Sequence, residues 1–177
     1  MVLRGLTLTG LGGDTGINVT SVGNLHVEGC VISGFISKGI LVHLNADGSQ
    51  IFLKDTIMRN NGDAGIYMTT STGTVRASID NCRAERNAIG FEASFNSLVT
   101  ISRSVASGNS GGGFIAVSNT SGATTELSCE ECVSSNNGYG FAVTASSGGV
   151  ATIRVSHSVA TNNTSFGFAQ FSGVFES

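Results

Sequence analysis

A glycine followed by a bulky apolar residue recurs seven times along the chain, at spacings of 23 to 27 residues: Gly16-Ile17, Gly39-Ile40, Gly65-Ile66, Gly90-Phe91, Gly113-Phe114, Gly140-Phe141 and Gly167-Phe168. A fixed period of that size marks stacked supersecondary units, each too small to bury a core by itself. Upstream of each pair a second pattern repeats. Short strands start around Leu3, Val27, Leu53, Ile79, Ile101, Cys129 and Val155, and three residues later stand Leu6, Cys30, Thr56, Cys82, Ser104, Cys132 and Ser158. Asn61, Asn87, Asn109, Asn137 and Asn163 then share one position of the repeat.

Period-two alternation in short runs reads as strand, and the Gly/Asn clusters between the runs read as bends. Three such strands per repeat, stacked in parallel about 4.8 Å apart, give a three-sided solenoid roughly 34 Å tall. Stacking of this kind puts each residue over its equivalent in the next coil. An amide side chain both donates and accepts, so the asparagines are expected to form a ladder inside one bend. Leucine-rich repeats share the period, but they need a dense leucine consensus and a helical segment. Here glycine outnumbers leucine, and the segment after each asparagine is too short and glycine-rich for a helix. The chain therefore reads as one domain over 1–177, with coils near 1–24, 25–50, 51–76, 77–97, 98–125, 126–151 and 152–177.

Composition narrows the function classes. The formal charge of −3 leaves no basic footprint for nucleic acid, and no apolar run reaches the ~18 residues of a membrane helix. Neither nucleic acid nor membrane insertion is expected. Met1-Val2-Leu3-Arg4 does not read as a signal peptide, which leaves the cytoplasm, or secretion with a leader removed, as the compartment.

The strings Leu3-Arg4-Gly5-Leu6-Thr7-Leu8 and Asn24-Leu25-His26-Val27-Glu28-Gly29-Cys30-Val31-Ile32 resemble bacterial right-handed parallel β-helix repeat proteins of the pectin-lyase-like group. The likeness covers nearly the whole chain and implies an all-β, right-handed, single-stranded parallel β-helix of about seven coils. Within the group, the chain resembles repeat proteins of no assigned activity more than any of the enzymes. The Asn-Thr-Asp, Asp-Asp, Gly-His-Gly and Arg-Ile-Lys elements of the polygalacturonase-like members are absent. The pectate lyases' clustered acids and proline-containing segment have no counterpart in a chain with no proline. The resemblance carries no catalytic residue across, and fold alone does not imply function.

The residues themselves offer two kinds of site. Arg4, Glu28, Lys54, Asp80, Ser102, Glu130 and Ser156 form an outward column whose first four members alternate in sign. Asp55, Asn81, Arg103, Glu131 and His157 lie beside it on the bend. Lys54, Asp80 and Arg103 are the candidate catalytic residues, because a uronate lyase or epimerase needs a cation against the sugar carboxylate and a base for its α-proton. A solvated ion ladder accounts for the same column without chemistry. The second kind is apolar. Val31, Ile57, Val105, Val133 and Val159 are expected to face outward, interrupted by Arg83, which is set to pair with Glu85. On the next face Leu41, Tyr67, Ile115 and Phe171 look outward, with His43 and Glu92 nearby. Contiguous apolar stripes usually mark covered surface, so these columns are the candidate interface of a homo-oligomer or of a polysaccharide.

Cys129 and Cys132 have metal or redox spacing but lack a second pair, and both fall on inward positions. His26, His43 and His157 lie in different columns. No metal and no cofactor are expected. Four phenylalanines near the C-terminus, Phe166, Phe168, Phe171 and Phe175, are expected to fold over the last coil. Met1 to Leu11 should fold across the first coil unless a partner covers it. The expected role is a non-catalytic scaffold that binds or associates through flat sheet faces. The alternative is a polysaccharide-active enzyme of uronate lyase or epimerase type.

Overall fold

The computed structural model describes residues 1–45 and 48–177. Among these, 22 strands assemble into three parallel sheets, in each of which strands follow one another in coil order. The first sheet holds eight strands: Val2–Arg4, Asn24–Glu28, Gln50–Lys54, Val75–Asp80, Ser97–Ser102, Thr124–Glu130, Val150–Ser156 and Val174–Glu176. The second is built of three-residue strands, from Thr7–Thr9 through Val31–Ser33 and Ile57–Arg59 to Val159–Thr161. The third runs through Ile17–Val19, Ile40–Leu44, Ala64–Thr70, Ile89–Ala93, Gly112–Ser118, Tyr139–Ala145 and Phe166–Gln170. There is no helix among the described residues, and the molecule is a solenoid of about seven turns.

The columns read from the sequence are rows in space. Leu3 pairs with Val27, Val27 with Leu53, Ile79 with Ile101 and Cys129 with Val155. The strand limits differ from expectation, however. Those residues stand near the ends of the first-sheet strands, not their starts, because the strands extend upstream through alternating positions such as Thr124–Ser128. A left-handed residue turns the chain at once after each of these strands: Gly5, Gly29, Asp55, Asn81, Arg103, Glu131 and His157 all have φ between 46° and 65°. Non-glycine residues adopt this region infrequently, so its recurrence in one row reflects a corner imposed by stacking.

The second corner carries the asparagine ladder. The backbone N–H groups of Asn61, Asn87, Asn109 and Asn137 each donate to the side-chain oxygen of the next coil's asparagine, at 2.9 to 3.0 Å. Each Nδ2 donates in the same direction, and Asn87, Asn109, Asn137 and Asn163 also donate to the carbonyls of Met58, Ala84, Ala106 and Ser134 in the coil before. Asn61, Asn87, Asn109 and Asn137 are at most 3% exposed, so this satisfaction is what makes their burial tolerable. The same corner explains the glycine of the repeat. A Cβ on Gly90 would lie 2.5 Å from the carbonyl oxygen of Gly113 and 3.1 Å from Asn109 Nδ2, so only glycine fits.

Beside it, the interior fills with stacked rings. Phe91, Phe114, Phe141 and Phe168 lie 4.9 to 5.4 Å apart, with interplanar angles of 3° to 13°. Ile17, Ile40 and Ile66 continue the row through the earlier coils. Phe175 closes edge-on against Phe168, whereas Phe166, Phe168 and Phe171 stay at least half exposed, so the aromatic cluster covers the last coil only in part. Met1 to Leu11 do not fold across the first coil. They form its first and second strands.

Candidate functional site

Three outer surfaces carry candidate residues, and each is set by strand alternation. On the edge between the first sheet and its bend, Arg4, Glu28, Lys54, Asp80, Ser102, Glu130 and Ser156 are register partners in succession. The ion pairing is less regular than the alternation of sign. Arg4 bonds Glu28 at 2.7 Å, but Asp80 turns away from Lys54, accepting from Arg103 Nη2 at 2.5 Å and from Ser102 Oγ at 3.0 Å. Asn81 Nδ2 donates to Asp55 at 2.6 Å. Among the described residues Lys54 makes no ion pair. Asp80 and Arg103 are thus brought together, with Lys54 one coil away and acting on Asp80 only through its field. The bond from Arg103 holds the Asp80 carboxyl below the usual aspartate range.

The first sheet's outer face holds residues that the sequence reading passed over. Gln50, Phe52, Arg76, Ser78, Leu98, Thr100, Glu126 and Ser128 line an open groove of about 290 Å³. Its floor is the register row Phe52, Ser78, Thr100, Ser128. Phe52 stacks on His26 at 4.7 Å, and Arg154 bonds both Glu126 (2.8 Å) and Glu176 (2.6 Å). Glu126 is therefore neutralised, whereas the Arg76 side chain has no hydrogen-bonding or ionic partner among the described residues. The signal for this groove was the alternation upstream of Val27, Leu53 and Ile79, the stretch that lengthens each first-sheet strand.

The second sheet presents the apolar column. Val31, Ile57, Arg83, Val105, Val133 and Val159 are successive register partners, half-buried except for the exposed Arg83 and Val159. Arg83 bonds Glu85 at 2.5 Å. On the third sheet the row runs Asn18, Leu41, Tyr67, Glu92, Ile115, Ala142, Ala169. Phe171 is not in it, since it follows the last strand and packs edge-on against Tyr139 at 5.3 Å. Glu92, expected beside this row, stands in the middle of it. Burial, with a smaller contribution from Asp63, pushes its carboxyl up to about 7. Asp63 is itself bonded by Lys38 at 2.6 Å, and the same ammonium lies 5.3 Å from the centre of the Tyr67 ring.

The cysteines lie inside. All four are free and buried, and burial raises Cys129 well above the ordinary thiol value and Cys82 to about 12. Cys30, Cys82 and Cys132 alternate with hydroxyls in one row, their N–H groups donating to Thr56, Ser104 and Ser158. His26, His43 and His157 stand on a sheet face, another sheet face and a bend. No group of three His, Cys, Asp or Glu is placed to hold a metal ion among the described residues.

A family model described as a right handed beta helix region matches residues 15–176. No curated protein and no solved structure matches the chain.

Proposed function

The chain belongs to the right-handed β-helix family, and from that premise we propose that it is a non-catalytic scaffold that binds and associates through its outer sheet faces, with carbohydrate as the ligand of the first sheet. The observation that carries this reading is the groove along the first sheet. Its floor of Ser78, Thr100 and Ser128 offers a row of hydroxyls, Phe52 backed by His26 offers a ring against which a sugar can lie, and the Arg76 guanidinium has no partner among the described residues. Sugar recognition draws on such a mixture of apolar platform and convergent polar groups. Association uses one of two columns, either Val31, Ile57, Val105, Val133 and Val159 on the second sheet or Leu41, Tyr67 and Ile115 on the third.

Titration calorimetry with neutral and uronate oligosaccharides tests the carbohydrate half. Binding that is lost in Phe52→Ala and Arg76→Ala supports it, and no heat from any sugar at millimolar concentration overturns it. Light scattering at high micromolar protein tests association. A uniform monomer counts against it.

The enzymatic alternative rests on Lys54, Asp80 and Arg103. A base for an α-proton gains from a raised pKa, whereas Asp80 is held low by Arg103. This edge therefore favours an ion pair over proton abstraction, and catalysis ranks second. Unsaturated product detected by ultraviolet absorbance, and abolished in Asp80→Ala, would reverse that order.

A further inference from the structure

Of the three outer faces, the first is crowded with charge at Arg76, Glu126 and Arg154, and the second is crossed by the Arg83–Glu85 pair. The third has a central row with a single carboxylate and no cation. That group, Glu92, is the fourth of seven members, with Asn18, Leu41 and Tyr67 before it and Ile115, Ala142 and Ala169 after it. No hydrogen bond or ion pair engages its carboxyl among the described residues. The groups around it are few. Tyr67 stands one coil before it, the Lys38–Asp63 pair lies at the strand entry, and the following strand Gly112–Ser118 has no charged residue. His43 is exposed two coils away on the same sheet.

A central position has a geometric consequence. When two copies lie face to face about a two-fold axis running along the Glu92 strand, each row member meets the member equally far on the other side of centre. Glu92 then meets Glu92, Tyr67 lies across from Ile115, and Leu41 lies over the position of Ala142, which is buried within its own copy and presents no bulk. Large residues face smaller ones, so the two faces are self-complementary in size. Lys38, at the strand entry of the second coil, lies across from Tyr139, an aromatic face for its ammonium. The face spans seven rows at about 4.8 Å and strands of about five residues at about 3.3 Å, or roughly 600 Å² in plan. With side-chain relief, that approaches the ~800 Å² per partner of a specific dimer.

We infer that a second copy of this chain is the partner of the third sheet, that the two copies meet at Glu92, and that the charge on this carboxyl decides whether they pair. The inference rests on the association proposed above and names its face, symmetry and control. Two ionised carboxylates on the axis repel each other in an apolar surround, whereas two carboxylic acids, each a donor and an acceptor, can bond each other. Because burial already pushes the single-copy carboxyl up to about 7, the change falls near neutrality. Pairing is full when Glu92 is protonated and is lost as pH rises through that value.

Sedimentation velocity of the full chain at pH 5.5 and 8.5 tests the inference, with Glu92→Gln and with Val105→Asp on the second sheet as comparisons. The expected result is a dimer whose dissociation constant rises at least about tenfold between the two pH values, since protons are taken up on pairing. Glu92→Gln should pair equally at both, and Val105→Asp should behave as the parent. Dimers that ignore pH, or that Val105→Asp disperses, overturn the third-sheet assignment and leave association standing. Monomers at both pH values, in the parent and in Glu92→Gln, overturn both.

Discussion

The asparagine corner and the outer row through Glu92 place polar side chains among apolar ones at the same one-coil spacing, yet their circumstances are opposite. At the corner, Asn109 accepts from Asn87 and donates to Asn137 and to the Ala84 carbonyl. In the outer row the Glu92 carboxyl has neighbours but no bonding partner among the described residues, and burial raises its proton affinity. The difference teaches that stacking like over like suits a group that is both donor and acceptor. A carboxylate cannot be stacked in that way, so it appears once and where a proton can reach it.

Breaking the satisfied side should cost most. Asn109→Ala leaves the buried Asn87 N–H without its acceptor and removes the side-chain bonds to Asn137 and Ala84, and at ~1–3 kcal/mol for the orphaned donor plus about 1 for the lost bonds we expect a loss of about 2–4 kcal/mol in urea unfolding. Relieving the unsatisfied side should do the reverse. The Glu92 carboxyl has an ordinary value of 4.5 and a folded value of about 7, so the native state holds its proton longer than the unfolded state. Stability therefore falls as pH rises between those values, and the full penalty is present above about 7. Glu92→Gln should remove that slope and gain about 3–4 kcal/mol at pH 8, with little change at pH 4, at ~1.4 kcal/mol per unit.

Smaller effects sharpen the contrast. Thr125 is buried with its hydroxyl unpaired, and Thr125→Val, a swap of similar shape, should stabilise by about 1 kcal/mol. Asp80→Asn weakens a largely solvated pair with Arg103 and should cost under about 1 kcal/mol. The loss should be visible above the usual aspartate range and should vanish as pH falls through the lowered Asp80 value.

Much of this was legible in the chain because parallel stacking converts sequence period into spatial rows. Gly90-Phe91 and its equivalents, with the asparagines packed beside them, located one corner of the coils. Strand limits were not legible at the first sheet, where Ser and Thr alternate with Val and Leu and resemble the turns that follow. Partner choice was also beyond reach. Lys54 and Asp80 are adjacent in any alignment, but a long guanidinium from the Arg103 bend reaches Asp80. The burial of Glu92 was equally illegible, because spacing fixes height along the solenoid without fixing how far neighbouring side chains lean over it. Arg76 and Phe52 carry no repeat signal of their own, because the regular columns stand at the strand ends, downstream of both.

Every ladder bond and ring stack described above joins a coil to the one before or after it and to no other. Under tension applied at its two ends, such a molecule has no distant clasp to release first. It would peel row by row, with force peaks evenly spaced at one 23- to 27-residue turn each, or about 85 Å of freed chain at ~3.4 Å per residue.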